Sequence, residues 1–213
     1  MDFIKFLFDF IMHIDVHLVE LIQKFGFGTY GIMFLIVFIE TGIVIFPFLP
    51  GDSLLFASGA LAAIHGLSLP LVIVVYFLAA VLGDSLNFEI GKRVGTTIRP
   101  NSFLGKFISQ ENMAKAQGFF ERHGGKTILI ARFMPMIRTF VPFVAGASRM
   151  NYRYFLMYNV IGGALWTLVC VLGGYFFGNL PFVRDNFSVV ILAIIFVSIL
   201  PAITGFIKSK FKK

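Results

Sequence analysis

The chain has 213 residues, of which 58% are hydrophobic and only 14% charged, and its formal net charge is +7. A soluble domain of this size carries roughly 25% charged residues, so the composition excludes an ordinary soluble domain and indicates several segments that lie in lipid. The length fits one membrane domain, 1–213, with no room for a separate soluble one.

The basic residues stand beside apolar segments, which favours topology signals and contacts with anionic lipid headgroups over nucleic-acid binding. The single cysteine, Cys170, excludes an intramolecular disulfide and a thiolate metal cluster. His13 and His17 have the spacing of a metal pair, but no third ligand is evident near them. We therefore expect no metal and no cofactor.

The N-terminal residues 1–28 have aromatic and aliphatic side chains at spacings of three and four, with acidic residues between them. This periodicity predicts an amphipathic helix at the membrane interface. The alternative is a short buried helix of the bundle.

The first half, 29–95, begins with an apolar run at 29–46 that is just long enough to cross the hydrocarbon core. Pro47, Pro50 and Gly51 cannot continue a regular helix, and the apolar stretch that follows them is too short to span. We therefore predict a re-entrant hairpin at 47–66. A second full span follows at 70–91.

The second half, 127–207, follows a basic segment, 92–126, that is predicted to be amphipathic and cytoplasmic. Residues 127–147 are apolar, but Pro135 and Pro142 interrupt them, which predicts a second re-entrant hairpin. The remaining elements are two spans and a basic tail, at 154–177, 187–207 and 208–213.

Lys and Arg mark the cytoplasmic side of a membrane protein, which places both termini in the cytoplasm and the 178–186 loop outside. The two hairpins then enter from opposite faces, as in inverted-repeat transporters, and both end in a Gly-Ala pair, Gly59-Ala60 and Gly146-Ala147. The predicted fold is all-α and integral to the membrane, with about four transmembrane helices, two opposed re-entrant hairpins and amphipathic interfacial helices.

Four charged residues fall at membrane depth: Glu40, Asp52, Arg132 and Arg138. Each costs about 2.5–3.5 kcal/mol there unless it faces protein or water and has a partner. Two arginines can hold an anion such as a lipid phosphate, and the two acids can compete for them or carry protons. The alternative is a static salt bridge that only fixes the packing of the hairpins.

Two further polar residues stand near the end of the second predicted span. Asp84 and Asn87 are either part of the same cavity or caps at the cytoplasmic end of that span.

These motifs resemble the DedA family, also described as the VTT or SNARE-associated membrane family. The resemblance is carried by Glu40-Thr41-Gly42, by the stretch from Pro47 to Ser53 and, most specifically, by Ala131 to Thr139. It implies a multi-pass bacterial inner-membrane protein with two opposed re-entrant hairpins and a role in envelope integrity that depends on the proton-motive force.

The resemblance also implies functional residues. It maps the acidic pair of the family to Glu40 and Asp52, as proton-coupling residues, and its arginine pair to Arg132 and Arg138, as substrate-binding residues. Some members of the family are implicated in moving undecaprenyl phosphate, and others in phospholipid translocation. The implied partners are therefore anionic lipids and protons, and a homo-oligomer is compatible with the sequence.

A lipid flippase is the leading hypothesis, because opposed hairpins with arginines offer a place for a charged headgroup and Phe-rich helices a path for its tail. A proton-coupled transporter of small ions or cationic drugs is the alternative. An enzyme is not expected, since no HExxH or GxSxG motif occurs. An oligomeric scaffold without transport is a further alternative.

The predicted topology has a direct test by cysteine labelling from outside intact cells. Single cysteines placed in 178–186 are expected to react with an impermeant reagent, whereas those placed in 102–120 or 209–213 are not. External labelling of the 102–120 segment would contradict the orientation.

Overall fold

The computed structural model describes residues 14–43, 51–64, 66–94, 120, 124–134, 137–178 and 180. Within those residues the chain forms helices and turns and no strand. The helices are α1 (Ile14–Phe25), α2 (Gly28–Gly42), α3 (Gly51–Ala63), α4 (Leu69–Val94), α5 (Lys126–Ala131), α6 (Ile137–Ala147) and α7 (Tyr152–Gly178).

Two of these helices, α4 and α7, are long and apolar enough to cross a membrane. The candidate spans, Leu69–Val94 and Tyr152–Phe177, are 26 residues long, which extends about 39 Å at a rise of 1.5 Å per residue and so exceeds a hydrocarbon core of about 30 Å. The spans predicted at 70–91 and 154–177 are therefore confirmed as helices. The predicted span at 187–207, the tail at 208–213 and nearly all of the 92–126 segment lie outside the described residues.

The first predicted span is shorter in the structure than in the sequence pattern. Helix α2 ends at Gly42, not at residue 46, and residues 44–50, with Pro47 and Pro50, lie outside the described residues. Helix α3 begins at Gly51 and is buried along most of its length. Its 13 residues extend about 20 Å, in agreement with a short apolar segment that does not cross a bilayer.

The segment of the second predicted hairpin contains two short helices, and of its two predicted interruptions the one at Pro142 is wrong. The chain leaves the helical conformation between Ala131 and Ile137, where α5 ends and α6 begins, and Pro135 lies outside the described residues. Pro142 does not interrupt the segment, because it lies inside α6. Proline removes one backbone hydrogen bond from a helix, and the close packing of α6 on α4 outweighs that loss.

By its contacts the chain divides into two compact units, each made of separated segments. Unit 1 comprises 1–36, 50–77 and 167–213, and unit 2 comprises 37–49 and 78–166. A single domain at 1–213 stays a prediction. Each unit contains one of the short apolar helices, α3 in unit 1 and α6 in unit 2.

In unit 1, α3 packs against α7 through a reciprocal pair of glycines. A Cβ atom at Gly59 would collide with the carbonyl oxygen of Val171, and one at Gly174 with the carbonyl oxygen of Phe56. Each glycine thus lies against the carbonyl that precedes the partner glycine by three residues. Small residues allow two helix backbones to approach this closely.

In unit 2 the same arrangement joins α6 to α4. A Cβ atom at Gly146 would collide with the carbonyl oxygen of Phe88, and one at Gly91 with that of Phe143. The aromatic ring of Phe88 lies 4.5 Å from that of Phe155, measured between centroids, in the core beside this contact. The two units therefore share one packing motif, at the Gly-Ala pairs that the sequence pattern had matched.

A further glycine lies before α5. Gly124 has a φ of +57°, a left-handed conformation that glycine adopts without strain, and its N–H donates to the carbonyl of Phe120. A left-handed glycine with this hydrogen bond is typical of the end of a helix.

The glycine contacts in unit 2 predict a strong positional effect on stability. Gly146→Ala is expected to lower the free energy of unfolding by about 1–3 kcal/mol, because a backbone carbonyl cannot move aside for the added methyl group. Thermal melting in detergent is the measurement. The matched control is Gly31→Ala in α2, where a Cβ atom meets nothing within 4 Å. Equal melting temperatures for the two variants would contradict the packing described here.

Candidate functional site

Four buried charges meet in unit 2, and each comes from a different helix or helix end. Glu40 lies in the last turn of α2, Asp84 within α4, Arg132 directly after α5 and Arg138 in the first turn of α6. Their relative exposures are 0%, 5%, 5% and 9%, respectively. Two cations and two anions leave the cluster formally neutral, which is the least costly way to bury ionised groups.

Arg132 pairs with Asp84, a residue 48 positions away in the chain. Its Nη1 donates to Asp84 Oδ2 at 2.5 Å and to Asn159 Oδ1 at 2.9 Å. The amide of Asn159 in turn donates from Nδ2 to the carbonyl of Val81 at 3.0 Å. Three helix segments are thereby linked through one guanidinium nitrogen. Asp84 is therefore an ion-pair partner rather than a cap at the helix end.

Arg138 pairs with Glu40, donating from Nη2 to Oε1. Asn87 supports this pair from α4, because its Nδ2 donates to the carbonyl of Thr41 at 3.0 Å and to that of Thr139 at 2.7 Å. Those two residues directly follow Glu40 and Arg138 in the chain. Asn87 is fully buried, and it holds together the two backbone segments that carry the ion pair.

A single indole lies over both arginines. The centroid of Trp166 is 5.7 Å from Cζ of Arg132 and 5.1 Å from Cζ of Arg138. A guanidinium within about 6 Å of an indole face is attracted to the electron-rich ring, by about 2 kcal/mol where water is excluded. Trp166 therefore offsets part of the repulsion between two neighbouring cations.

The site encloses a cavity of about 10 Å³, lined by Thr41, Asp84, Arg132, Arg138, Thr139 and Trp166. That volume has room for about one water molecule. Nε and Nη2 of Arg132 are buried, and no hydrogen-bond partner for either occurs among the described residues. These two donors lie on one edge of the planar guanidinium, an edge that in other proteins binds two oxygens of an anion at once.

Several predicted site residues lie elsewhere. Asp52 is in the first turn of α3, half-buried, and belongs to unit 1 together with the buried Gly51. Pro142 is buried in α6, whereas the other three prolines of the predicted hairpins are outside the described residues.

Two members of the site, Asn159 and Trp166, did not emerge from the sequence. They are seven residues apart on the apolar helix α7, a spacing of two turns that places them on one face. A polar and an amphipathic side chain repeated at that spacing in an otherwise apolar span is the signal that could have found them.

The chain matches the family model described as the VTT domain over residues 49–176, a range that contains the site residues from α4 to α7 but not Glu40. It is 50% identical to the protein DedA of Escherichia coli K12 over 214 residues, which cover 99% of this chain and 96% of that protein. An uncharacterized membrane protein of Mycobacterium leprae is 44% identical over 170 residues, covering 79% and 75% of the two chains. The inner membrane protein YqjA of Escherichia coli K12 is 34% identical over 152 residues, covering 71% and 69%. No solved structure matches.

The buried Arg132–Asp84 pair predicts an asymmetric effect on stability. Asp84→Leu alone is expected to cost about 3–5 kcal/mol, because Arg132 keeps its charge without a carboxylate, whereas Asp84→Leu with Arg132→Met recovers most of the loss. Chemical or thermal unfolding of the purified variants measures both effects. Arg93→Ala is the control, since it breaks an exposed pair with Glu89 and is expected to cost at most about 1 kcal/mol. A double variant no more stable than Asp84→Leu would contradict the assignment.

Proposed function

We propose a transport function for this chain, which belongs to the DedA family of VTT-domain membrane proteins. The chain is an all-helical membrane protein. The proposal is an inner-membrane flippase for an anionic lipid, such as undecaprenyl phosphate or a phospholipid, driven by the proton-motive force.

The observation that carries the proposal is the open edge of Arg132. Leaving a buried donor without a hydrogen bond costs about 1–3 kcal/mol, and more for a charged group, and Arg132 has two such donors on one edge. A phosphate ester presents two oxygens at the spacing of that edge. Both donors are buried, which favours recognition of a desolvated phosphate group.

The cavity of about 10 Å³ is too small for a phosphate group, so the described arrangement corresponds to a closed state. In it Asp84 engages Nη1 of Arg132 and Glu40 engages Nη2 of Arg138, whereas the edge formed by Nε and Nη2 of Arg132 has no partner among the described residues. A lipid phosphate therefore reaches that edge only when the cavity widens. Protonation of Glu40 removes its charge and releases Arg138, which links the widening of the cavity, and so anion binding, to proton uptake. Asp52, in unit 1, is the second residue proposed to take up a proton.

The proposed membrane arrangement keeps four spans, two opposed re-entrant hairpins and cytoplasmic termini. It is supported by the lengths of α3 and α6, which have 13 and 11 residues. They extend only about 20 and 17 Å, short of a hydrocarbon core of about 30 Å. A headgroup pathway through such a protein needs charged groups beside broken helices, as at Arg132 and Arg138.

A proton-coupled transporter of small ions or cationic drugs fits the site less well. Both carboxylates already face an arginine, and the indole face of Trp166 that would attract a cation already lies over two guanidinium groups. The proposal assigns no catalytic residue.

The proposal is tested by reconstituting the purified chain into vesicles with labelled undecaprenyl phosphate or labelled phospholipids, assayed side by side. Arg132→Ala is expected to lower translocation by at least about tenfold, and Arg132→Lys to restore little of it, because an ammonium cannot form the two-pronged contact. Arg93→Ala serves as the control with an equal loss of charge. Translocation by Arg132→Ala at the wild-type rate would refute the proposal.

The acidic residues predict a separate pattern. Glu40→Gln and Asp52→Asn are expected to abolish the dependence of transport on an imposed pH gradient, because an amide cannot take up and release a proton. The double variant Glu40→Gln with Arg138→Ala is expected to regain stability but not transport. Recovery of both properties in that variant would show that the pair is only a structural salt bridge.

A further inference from the structure

Three residues on one face of α7 lie close to Arg132. Asn159, Gly163 and Trp166 are separated by four and three residues, a spacing that aligns them on one side of a helix. Each contacts or borders a different part of the same guanidinium group. We name this set the arginine cradle.

Asn159 contacts Arg132 and α4 through both polar atoms of its amide. Its Oδ1 accepts from Nη1 of Arg132 while its Nδ2 donates to the carbonyl of Val81. A side-chain amide supplies an acceptor and a donor on two separate atoms without carrying a charge. Asn159 therefore holds Nη1 turned toward Asp84 and away from the open edge.

Gly163 allows the backbone of α7 to come close to the guanidinium. A Cβ atom there would lie 3.6 Å from Nη2 and 3.7 Å from Cζ of Arg132, and 3.1 Å from Cγ2 of Val81. The nearly equal distances to Nη2 and Cζ place this Cβ atom over the plane of the guanidinium. A side chain at this position would therefore press on both Val81 and the guanidinium.

The ring centroid of Trp166 lies 5.7 Å from Cζ of Arg132. Because Nη1 is engaged by Asp84 and Asn159, the edge formed by Nε and Nη2 is the part of Arg132 that remains for a ligand once the cavity widens. An approach along this edge selects for a group with two oxygens in one plane. Arg138 also lies close to the ring of Trp166, so one ring interacts with both arginines.

We infer that the arginine cradle on α7 positions Arg132 for edge-on binding of a phosphate ester, and that Asn159, Gly163 and Trp166 are its positioning residues. The inference rests on the proposed function for the class of ligand. It adds that α7, and not only the segment with the two arginines, determines how the anion is recognised. It also makes the two arginines unequal, with Arg132 as the docking group.

The test uses the full chain in detergent and the fact that Trp166 is its only tryptophan. Titration with short-chain phosphatidic acid is expected to change the indole fluorescence in a saturable way, and inorganic phosphate is titrated in parallel to separate a lipid headgroup from free phosphate. Arg132→Ala and Arg138→Ala are expected to shift the emission without ligand, whereas Arg93→Ala is not.

Gly163→Ala is the sharpest variant, because it retains all charges and the tryptophan. It is expected to weaken binding of short-chain phosphatidic acid by about tenfold, because the added methyl group presses on Val81 and the guanidinium and shifts the two donors from the orientation that binding requires. Gly173→Ala is the matched control on the same helix, since its Cβ atom would meet only Phe56 at 3.9 Å. Unchanged affinity in Gly163→Ala would overturn the role of the cradle.

Trp166 is tested by a double-variant cycle followed by ligand-induced thermal stabilisation. Trp166→Leu is expected to weaken binding by about tenfold and Trp166→Phe to restore much of it, because phenylalanine keeps an aromatic face. In an Arg132→Ala background, Trp166→Leu is expected to have no further effect, since the indole acts through Arg132. Additive losses would overturn the inference.

The outcomes separate this inference from the proposed function. Binding of short-chain phosphatidic acid that depends on Arg132 and the cradle, in a chain that moves no lipid, would refute transport and support the cradle. Lipid movement that is unaffected by Gly163→Ala and Trp166→Leu would support transport and refute the role of the cradle. Binding of inorganic phosphate as tight as that of phosphatidic acid would assign the recognition to free phosphate, and no saturable binding of either probe would overturn the inference.

Discussion

The burial of two guanidinium–carboxylate pairs in unit 2 is the constraint on which the site depends. Each ion would cost several kcal/mol alone in such surroundings, so Arg132 and Arg138 require Asp84 and Glu40 close by. Helices α2, α4 and α6 and the break after α5 must therefore meet at one place. The hydrogen bonds of Asn87 to the backbone beside Glu40 and Arg138 maintain that meeting point.

The close packing of α4 on α6 allows the charged cluster to keep buried donors that have no hydrogen-bond partner among the described residues. The glycine contacts between α4 and α6 bring backbone against backbone, where no side chain can rearrange. Close packing of this kind transmits strain instead of absorbing it. The open edge of Arg132 is consequently maintained at a cost, and functional sites are where proteins retain such costs. A static scaffold would gain stability by closing that edge with a further hydrogen bond.

Much of the helix pattern follows from the sequence, because apolar runs of sufficient length and breaks at Pro and Gly are local properties. The need for partners for Arg132 and Arg138 also follows, since a charge at membrane depth must be compensated. The pairing of Arg132 with Asp84 does not follow from the sequence, because the position of Asp84 is equally compatible with a helix cap and the two residues are distant in the chain. The prediction that Pro142 interrupts the helix was wrong, because tertiary packing outweighs the loss of one backbone hydrogen bond. Asn159 and Trp166 stand at a helical spacing in α7, but the sequence does not indicate that this face of α7 lies beside Arg132.

The repeated glycine motif shows where the chemistry of the site arises. The spacing between Gly91 and Gly174 also separates Tyr76 from Asn159, and Asp84 from Thr167. At the first of these matched positions unit 1 has a buried hydrogen bond between Tyr76 and Ser58, whereas unit 2 has the amide that orients Arg132. At the second, a neutral hydroxyl in unit 1 stands where unit 2 has the carboxylate of the ion pair. Packing is thus shared by the two units while charge is not. The repeat provides two closely packed helix pairs, and the differences between them place the buried Arg132–Asp84 pair in unit 2.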